Sequence, residues 1–466
     1  MASTPIEHPT TTQTLPSKQH PIPFSIAPNG TRTQLSSILP PLIFGTATFN
    51  HQYNTDPFAL DTTGLTTSAL THGIRAFDTS PYYGPSEQLL GTALSTPFVR
   101  ETFPRESYLL LTKVGRIASS TFDYSAPWVR QSISNSLSRL QTSYLDLVYC
   151  HDVEFVSPAE VLTAVRELRR IRDEEGTIRY VGISGYPLDV LCEVAELVHR
   201  ETGEPLDAVQ SYANFTLQNQ RLAGEKGIQR LKAAGVDVVP NASPLGMGLL
   251  RRQGVPVGSL GDFHPAGREL RARVRQASDF CDRHGEKLEV IAIRWALESW
   301  ISTGALCGSH GDPASGVPWM RESNDDVGGA KLGVSVIGVS KPEELEKTML
   351  VWRSILDGLE GGEDTAVRAG RWYRAWEWSR NRRVAVQILA EGVQEILGEW
   401  FDYAWESPGE GFVNDKRTQS ITTPAATIIE KVNKDGAENP WLTPAASPAA
   451  TPVEGDEVVE KSLPLR

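Results

Sequence analysis

Eight short, near-continuously apolar runs punctuate the chain: LIFGTATF, IRAFDT, YLLLTKVG, YLDLVYCHD, IRYVGISG, LDAVQSY, VDVVPNASP and VSVIGVS. A strand that is apolar at successive positions is buried on both faces, as in a parallel sheet covered by helices. Between most of these runs lie stretches such as WVRQSISNSLSRLQ and PAEVLTAVRELRRIRDEEG. Their apolar residues recur three and four apart, the spacing of a helix with one buried face. Several such stretches stop at a glycine (Gly176, Gly203, Gly235), the residue that most readily takes the left-handed turn past a helix C-terminus. Strand–helix alternation repeated in this way predicts an α/β protein built as a (β/α)8 TIM barrel. A doubly wound sheet shares the alternation, but no G-x-G-x-x-G follows the first strand, so the barrel is preferred.

The same pattern divides the chain. Residues 1–37 are rich in Thr, Ser and Pro and are expected to be disordered. The barrel is expected over 38–358, with a Gly/Ser/Asp-rich insertion at 303–330 placed as a surface loop. A Trp- and Arg-rich helical extension follows over 359–406, with Trp372, Trp376, Trp378 and Trp400 read as packing residues. The Pro/Ala/Thr-biased stretch 407–466 is expected to be a disordered tail.

Composition narrows the function classes. With 466 residues and 40% hydrophobic content the chain is enzyme-sized and has material for a large core. A net charge of −12 argues against a nucleic-acid partner and against docking on an anionic membrane. No apolar run is long enough to span a bilayer, and no secretory or mitochondrial leader pattern stands at the N-terminus. Four scattered cysteines (Cys150, Cys192, Cys281, Cys307) form no C-x-x-C pair, so a reduced, cytoplasmic setting is expected and no metal site.

In a barrel, the residues that close the strands meet at one face. Read in order, those ends carry Asp78, Lys113, His151, Ser184, Gln210 and Ser243, spaced about one strand-plus-helix unit apart. Each alone has an ordinary explanation: a turn cap, a solvent-facing ammonium, a satisfied core histidine. Six polar closures in phase point instead to a site. A carboxylate, an ammonium and an imidazole meeting near Tyr82 and Tyr83 can transfer a proton. A free phenol, with a pKa of about 10, is too weak a base near neutrality, and a neighbouring lysine held by an aspartate is expected to lower it. No activated serine or cysteine and no metal-ligand spacing accompanies the set. Proton transfer without a nucleophile suggests redox at a carbon–oxygen bond with a bound hydride carrier.

The stretch FDTSPYYGPSE resembles the D-T-[AS]-x-x-Y-G-x-S-E signature of the aldo-keto reductases. LLLTKVG, LSRLQTSYLDLVYCHD, GTIRYVGISGY and NASPLGMGLL fall, in order, where that superfamily has its later signatures, and the resemblance covers roughly residues 40–355. It implies Tyr83 as the acid/base, with Asp78, Lys113 and His151 completing the catalytic set, and leaves Tyr82 to face the substrate pocket or to pack under the loop, packing being preferred. It further implies that Ser184 and Gln210 hold the nicotinamide carboxamide and that Ser243, Leu245, Gly246 and Gly248 run along the pyrophosphate. Gly338, Ser340 and Glu344 would lie at the adenosine end.

Two departures resemble the sugar-dehydrogenase branch of that family, whose enzymes act on L-galactose and D-arabinose. Ser184 is followed by Gly185 rather than Asn, and Ala242 stands where a stacking Tyr is common. At the strand-eight turn, SKPEELEK sets Lys341 against Glu343 and Glu344, which disfavours a 2′-phosphate, so NAD is expected over NADP. The expected activity is oxidation of an aldose such as D-arabinose, L-galactose or L-fucose at C1 to the aldonolactone, a small-molecule sugar being the partner. An NADPH-dependent aldehyde or ketone reductase, and a nicotinamide-binding regulatory barrel, are the alternatives. Nothing in the chain specifies an oligomeric state.

Overall fold

A computed structural model describes residues 19–256, 260–310, 331–359 and 371–417, with side chains from 376 onward in the last stretch. Eight parallel strands close into a barrel: β1 (Leu42–Gly45), β2 (Ala76–Asp78), β3 (Leu109–Val114), β4 (Leu145–His151), β5 (Ile178–Gly185), β6 (Ala208–Tyr212), β7 (Asn241–Ala242) and β8 (Ser335–Gly338). Each lies inside one of the eight apolar runs, and β8 pairs with β1 to complete the ring.

Two apolar clusters explain why the runs look continuous. Phe44, Phe77, Leu110, Val148, Cys150, Val181, Ile183 and Val209 pack outward against the helices. Their neighbours Ile43, Ala76, Leu109, Leu111, Leu147, Tyr149, Tyr180 and Ala208 fill the barrel interior. Successive residues thus serve two different cores, so both parities must be apolar.

The helices follow local signals. Pro158–Arg170 starts on a capping box, Ser157 and Glu160 each accepting from the other's backbone N–H, with proline in its first turn. Its continuation stops at Gly176 in the left-handed region, φ 66°. The four cysteines are buried and unpaired. Among the described residues no helix is long and apolar enough to cross a membrane.

Both chain ends depart from the expectation. The segment placed as disordered up to residue 37 is structured from Gln19 onward and closes the bottom of the barrel. Ile22, Leu35, Ile38 and Leu39 join the interior cluster, and the Tyr180 hydroxyl donates to the Thr33 carbonyl at 2.6 Å. A few apolar residues in a Thr/Pro-rich stretch suffice, because an open barrel end offers an apolar surface that must be covered. Residues 1–18 lie outside the described part, as do 311–330 of the proposed insertion, 360–370, and the Trp372 side chain.

Beyond the barrel, a helix over Arg371–Leu397 packs Val386, Leu389, Ala390 and Val393 into the outer core. The buried Arg294 pins it, donating to Ser354 Oγ at 2.9 Å and Ser379 Oγ at 3.1 Å. The stretch placed as a disordered tail from 407 is also ordered as far as Arg417. Residues 400–417 cross the face where the strands end, tied to the loops after β6, β5, β4 and β3 in turn. Gln218 Nε2 donates to the carbonyls of Trp400 and Tyr403. Trp405 stacks on Tyr186, centroids 4.5 Å apart, and Ser407 Oγ donates to Glu154 at 3.0 Å. Asn414 bonds both the N–H and the C=O of Phe122. The remaining residues, 418–466, lie outside the described part.

Gly182, midway along β5, leaves room for the Tyr149 ring: an added Cβ would stand 2.8 Å from its Cδ1 and 2.5 Å from the Ala208 carbonyl oxygen. Gly182→Val is therefore expected to cost about 1–3 kcal/mol or more by overpacking. Chemical denaturation measures it; an unchanged midpoint would contradict the fit described.

Candidate functional site

Inward-facing positions alternate along each strand, and the uppermost inward position is where an interior row meets solvent. Following the interior rows upward leads from Ala76 to Asp78, from Leu109 and Leu111 to Lys113, and from Leu147 and Tyr149 to His151. It leads likewise from Tyr180 to Ser184 and from Ala208 to Gln210. His151 registers with Ser184, and Ser184 with Gln210. The six polar closures therefore fall into two groups: Asp78, Lys113 and His151 on β2–β4, and Ser184, Gln210 and Ser243 on or just past β5–β7.

The first group is tightly coupled. Lys113 is 2% exposed and donates from Nζ to Asp78 Oδ1 at 2.7 Å and to the Thr79 carbonyl at 2.9 Å. The loop after β2 brings Tyr83 over this pair, with Nζ 4.9 Å from its ring centroid. The His151 ring stands edge-on to Tyr83, 5.7 Å between centroids. Burial raises the Asp78 carboxyl, and Lys113, then the Gln210 amide, pull it back. The phenol of Tyr83 lies well above its ordinary value, because burial, then the negative charges of Asp78 and Asp152, outweigh Arg116. This corrects the expectation that Lys113 would lower it. At 2.7 Å from Asp78, the ammonium is neutralised by the carboxylate that orients it.

Tyr82, read as a packing residue, has a second environment. Arg116 lies 3.8 Å over its ring and donates to its hydroxyl at 3.0 Å, while also pairing with Asp152. Arg116, Asp152 and Trp405 were missed by the sequence reading. Asp152 sits beside His151 in CHD and Arg116 follows Lys113 in TKVGR. Their adjacency to identified residues was the available signal; that they pair with each other was not visible. Gly185, the departure noted after Ser184, also gains a reason: a Cβ there would stand 2.5 Å from Glu154 Oε2.

The second group has the chemistry to hold a dinucleotide. Gln210 is 4% exposed, and its amide oxygen is buried without a partner, beside Ser184, whose hydroxyl makes only a long contact, 3.5 Å, to the Cys150 carbonyl. An acceptor and a hydroxyl so placed match a primary carboxamide. Past β7, Ser243, Gly246, Met247 and Gly248 all have positive φ, and Gly246 N–H donates to Ser243 O at 2.8 Å, forming a tight turn that includes Leu245. Gly338 ends β8, and Ser340 N–H donates to Glu344 at 2.8 Å, at the start of the helix Pro342–Asp357.

The sequence profile of the Aldo/keto reductase family matches residues 41–357. The chain belongs to that family and is an oxidoreductase of it, a family whose members work with nicotinamide cofactors. It is 44% identical over 268 residues to the D-arabinose 1-dehydrogenase of Saccharomyces cerevisiae, covering 57% of this chain and 77% of the relative. It is 37% identical over 251 residues to the L-galactose dehydrogenase of Arabidopsis thaliana, covering 53% of this chain and 73% of that one. With the D-threo-aldose 1-dehydrogenase of a Pseudomonas species it shares 26% over 262 residues, covering 51% and 75%.

Glu154, which receives Ser407, is buried, and burial, then Asp152, push its carboxyl up to about 8. Between 4.5 and 8 the folded chain thus holds a proton that the unfolded chain has released, so this residue makes stability fall as pH rises through that window. The melting temperature of the parent is expected to drop between pH 5 and pH 8 by a few degrees more than that of Glu154→Gln. Parallel melting curves for the two would remove this role.

Proposed function

We propose that the chain is an aldose 1-dehydrogenase, oxidising a sugar such as D-arabinose, L-galactose or L-fucose at C1 to the aldonolactone with NAD as hydride acceptor. The observation that carries the reading is Tyr83 set between Lys113 Nζ, 4.9 Å from its ring centroid, and the edge-on His151. The dehydrogenases to which the chain is similar act, by their names, on aldoses.

In this reading Tyr83 takes the proton of the C1 hydroxyl as C1 is oxidised. The bound nicotinamide supplies the hydride acceptor and, when oxidised, a positive charge. His151 donates a hydrogen bond to the sugar oxygen and holds it in register. Lys113, fixed by Asp78, stands beside the Tyr83 ring. Ser184 and Gln210 would hold the carboxamide, the 243–248 turn would take the pyrophosphate, and Gly338, Ser340 and Glu344 would form the adenosine end.

The raised Tyr83 phenol makes it an acid at neutral pH, which favours the reductive direction. Oxidation requires the phenolate, so its rate is expected to climb through the alkaline range while reduction of the same pair does not. Tyr83→Phe is expected to lower turnover by about 10²–10⁴-fold in both directions. Assaying NAD and NADP separately against pentoses and 6-deoxyhexoses tests the whole reading. Turnover confined to NADPH and simple aldehydes would replace it with the reductase, and tight nucleotide binding without turnover with the regulatory barrel.

The preference for NAD rests on Glu344. Its carboxylate already accepts the Ser340 N–H at the start of a helix, and Glu343 adds a second negative charge beside it. A 2′-phosphate arriving there meets repulsion rather than a free anion site. Glu344→Ser is expected to lower the KM for NADP by about tenfold, equivalent to roughly 1.4 kcal/mol. An unchanged NADP constant would place the discriminating residue elsewhere.

A further inference from the structure

Ser80 is the third residue of the DTSPYY stretch, and its side chain is fully buried beneath His151. Its Oγ lies 3.0 Å from His151 Nδ1 and accepts the Tyr82 N–H at 3.1 Å. On the opposite edge of the imidazole, Nε2 lies 3.5 Å from Asp152 Oδ2. That carboxylate is held by Arg116, which is itself fixed by the Tyr82 hydroxyl. Asp152 takes left-handed backbone angles, φ 56° and ψ 62°, a conformation that a non-glycine residue keeps only where its surroundings enforce it.

Of the two neutral arrangements that the Ser80 contacts allow, the carboxylate beside Nε2 selects one. A carboxylate only accepts, so a bare Nε2 facing Asp152 would set two acceptors against each other. A neutral imidazole has a single N–H, and burial of His151 takes its pKa down to about 3. The N–H then belongs on Nε2, and Nδ1 receives the Ser80 hydroxyl proton, while one lone pair of Ser80 accepts the Tyr82 N–H. One directed chain results: Tyr82 N–H to Ser80 Oγ, Ser80 O–H to Nδ1, and Nε2–H outward.

We propose that Ser80 and Asp152 are positioning residues that hold the His151 proton on Nε2, so that this nitrogen presents a hydrogen-bond donor to the sugar oxygen at the reacting carbon. A donor serves in both directions, since the C1 hydroxyl of the sugar and the carbonyl of the lactone both accept. The opposite tautomer would offer that oxygen a lone pair. Asp152 Oδ2, 3.5 Å away, faces Nε2 without closing on it, which leaves Nε2–H available to a closer acceptor. Ser80 does not touch the substrate and acts through the ring.

The kinetic consequence rests on the aldose-oxidation reading; the tautomer does not. Long-range proton–nitrogen correlation spectra of full-length protein labelled with ¹⁵N-histidine, with His151 assigned by its loss in His151→Asn, report the tautomer directly. The expected result is a protonated Nε2 and an unprotonated Nδ1 in the parent at neutral pH. In Ser80→Ala, proton should appear on Nδ1 in a fraction of molecules, and kcat for sugar oxidation should fall about tenfold. The NAD dissociation constant should hold, and Ser80→Thr should restore both tautomer and kcat. A parent proton on Nδ1, an imidazolium, or a Ser80→Ala protein with unchanged tautomer and kcat would overturn the proposal. The expected spectra together with no sugar turnover by the parent would remove the aldose reading and leave the tautomer assignment standing.

Discussion

Closure of eight parallel strands into a ring imposes a strict parity, and the site depends on it. Once the ring is closed, every second side chain faces inward, where there is room for side chains but not for water. The lower inward rows must be apolar, and Ile43, Leu109, Leu111, Leu147 and Tyr180 fill them together with the plug from Ile22, Leu35, Ile38 and Leu39. Only the uppermost inward position of each strand can be polar at tolerable cost. That is where Asp78, Lys113, His151, Ser184 and Gln210 stand. A slip of one residue in any strand would turn its polar closure out among the helices.

Within that ring the charges come as pairs. Lys113 with Asp78, and Arg116 with Asp152, each bury one cation against one anion. Removing one member of such a pair strands the other, at about 3–5 kcal/mol, so the pairs fix each other as well as the site. Mutual neutralisation has a chemical consequence. Each lysine or arginine is spent on its own carboxylate, and Tyr83 answers mainly to burial and to the nearby negative charges. Its proton is held tightly, which suits an acid and makes a base of it only at higher pH or beside a further positive charge.

The legible parts of this molecule are those written locally. All eight strands were visible because a doubly buried strand is apolar at consecutive positions, a signal contained within a few residues. The catalytic cluster was visible because strand ends recur in phase, and FDTSPYYGPSE carries Asp78 and Tyr83 together. What the sequence hid is non-local. The Arg116–Asp152 pair joins two strands' loops across 36 positions. Residues 19–37 and 407–417 have compositions that cannot build a core of their own, yet each is ordered by a surface the barrel supplies. The lysine's effect on Tyr83 was misjudged for the same reason: the spacing revealed both residues but not that Asp78 lies 2.7 Å from Nζ.

The C-terminal crossing joins these threads. Trp405 stacks on Tyr186 just past β5, and Ser407 bonds Glu154 just past β4. Asn414 replaces a strand partner for Phe122 past β3. Tyr186 and Glu154 lie within a few residues of Ser184 and His151, and Phe122 lies in the loop that follows Lys113, so the segment touches the shoulders of the site without supplying any of the proton-transfer groups. Glu154 is the most sensitive of the anchors, because Asp152 stands next to it in the same loop and opposes its ionisation. Gly185 keeps the space that its carboxyl occupies. Burial, with the carboxylate that steadies His151, therefore keeps Glu154 protonated, against the Ser407 hydroxyl, whose donated hydrogen bond favours the ionised form. Orientation of the catalytic imidazole and closure over the strand ends are set by one short stretch, His151 to Glu154.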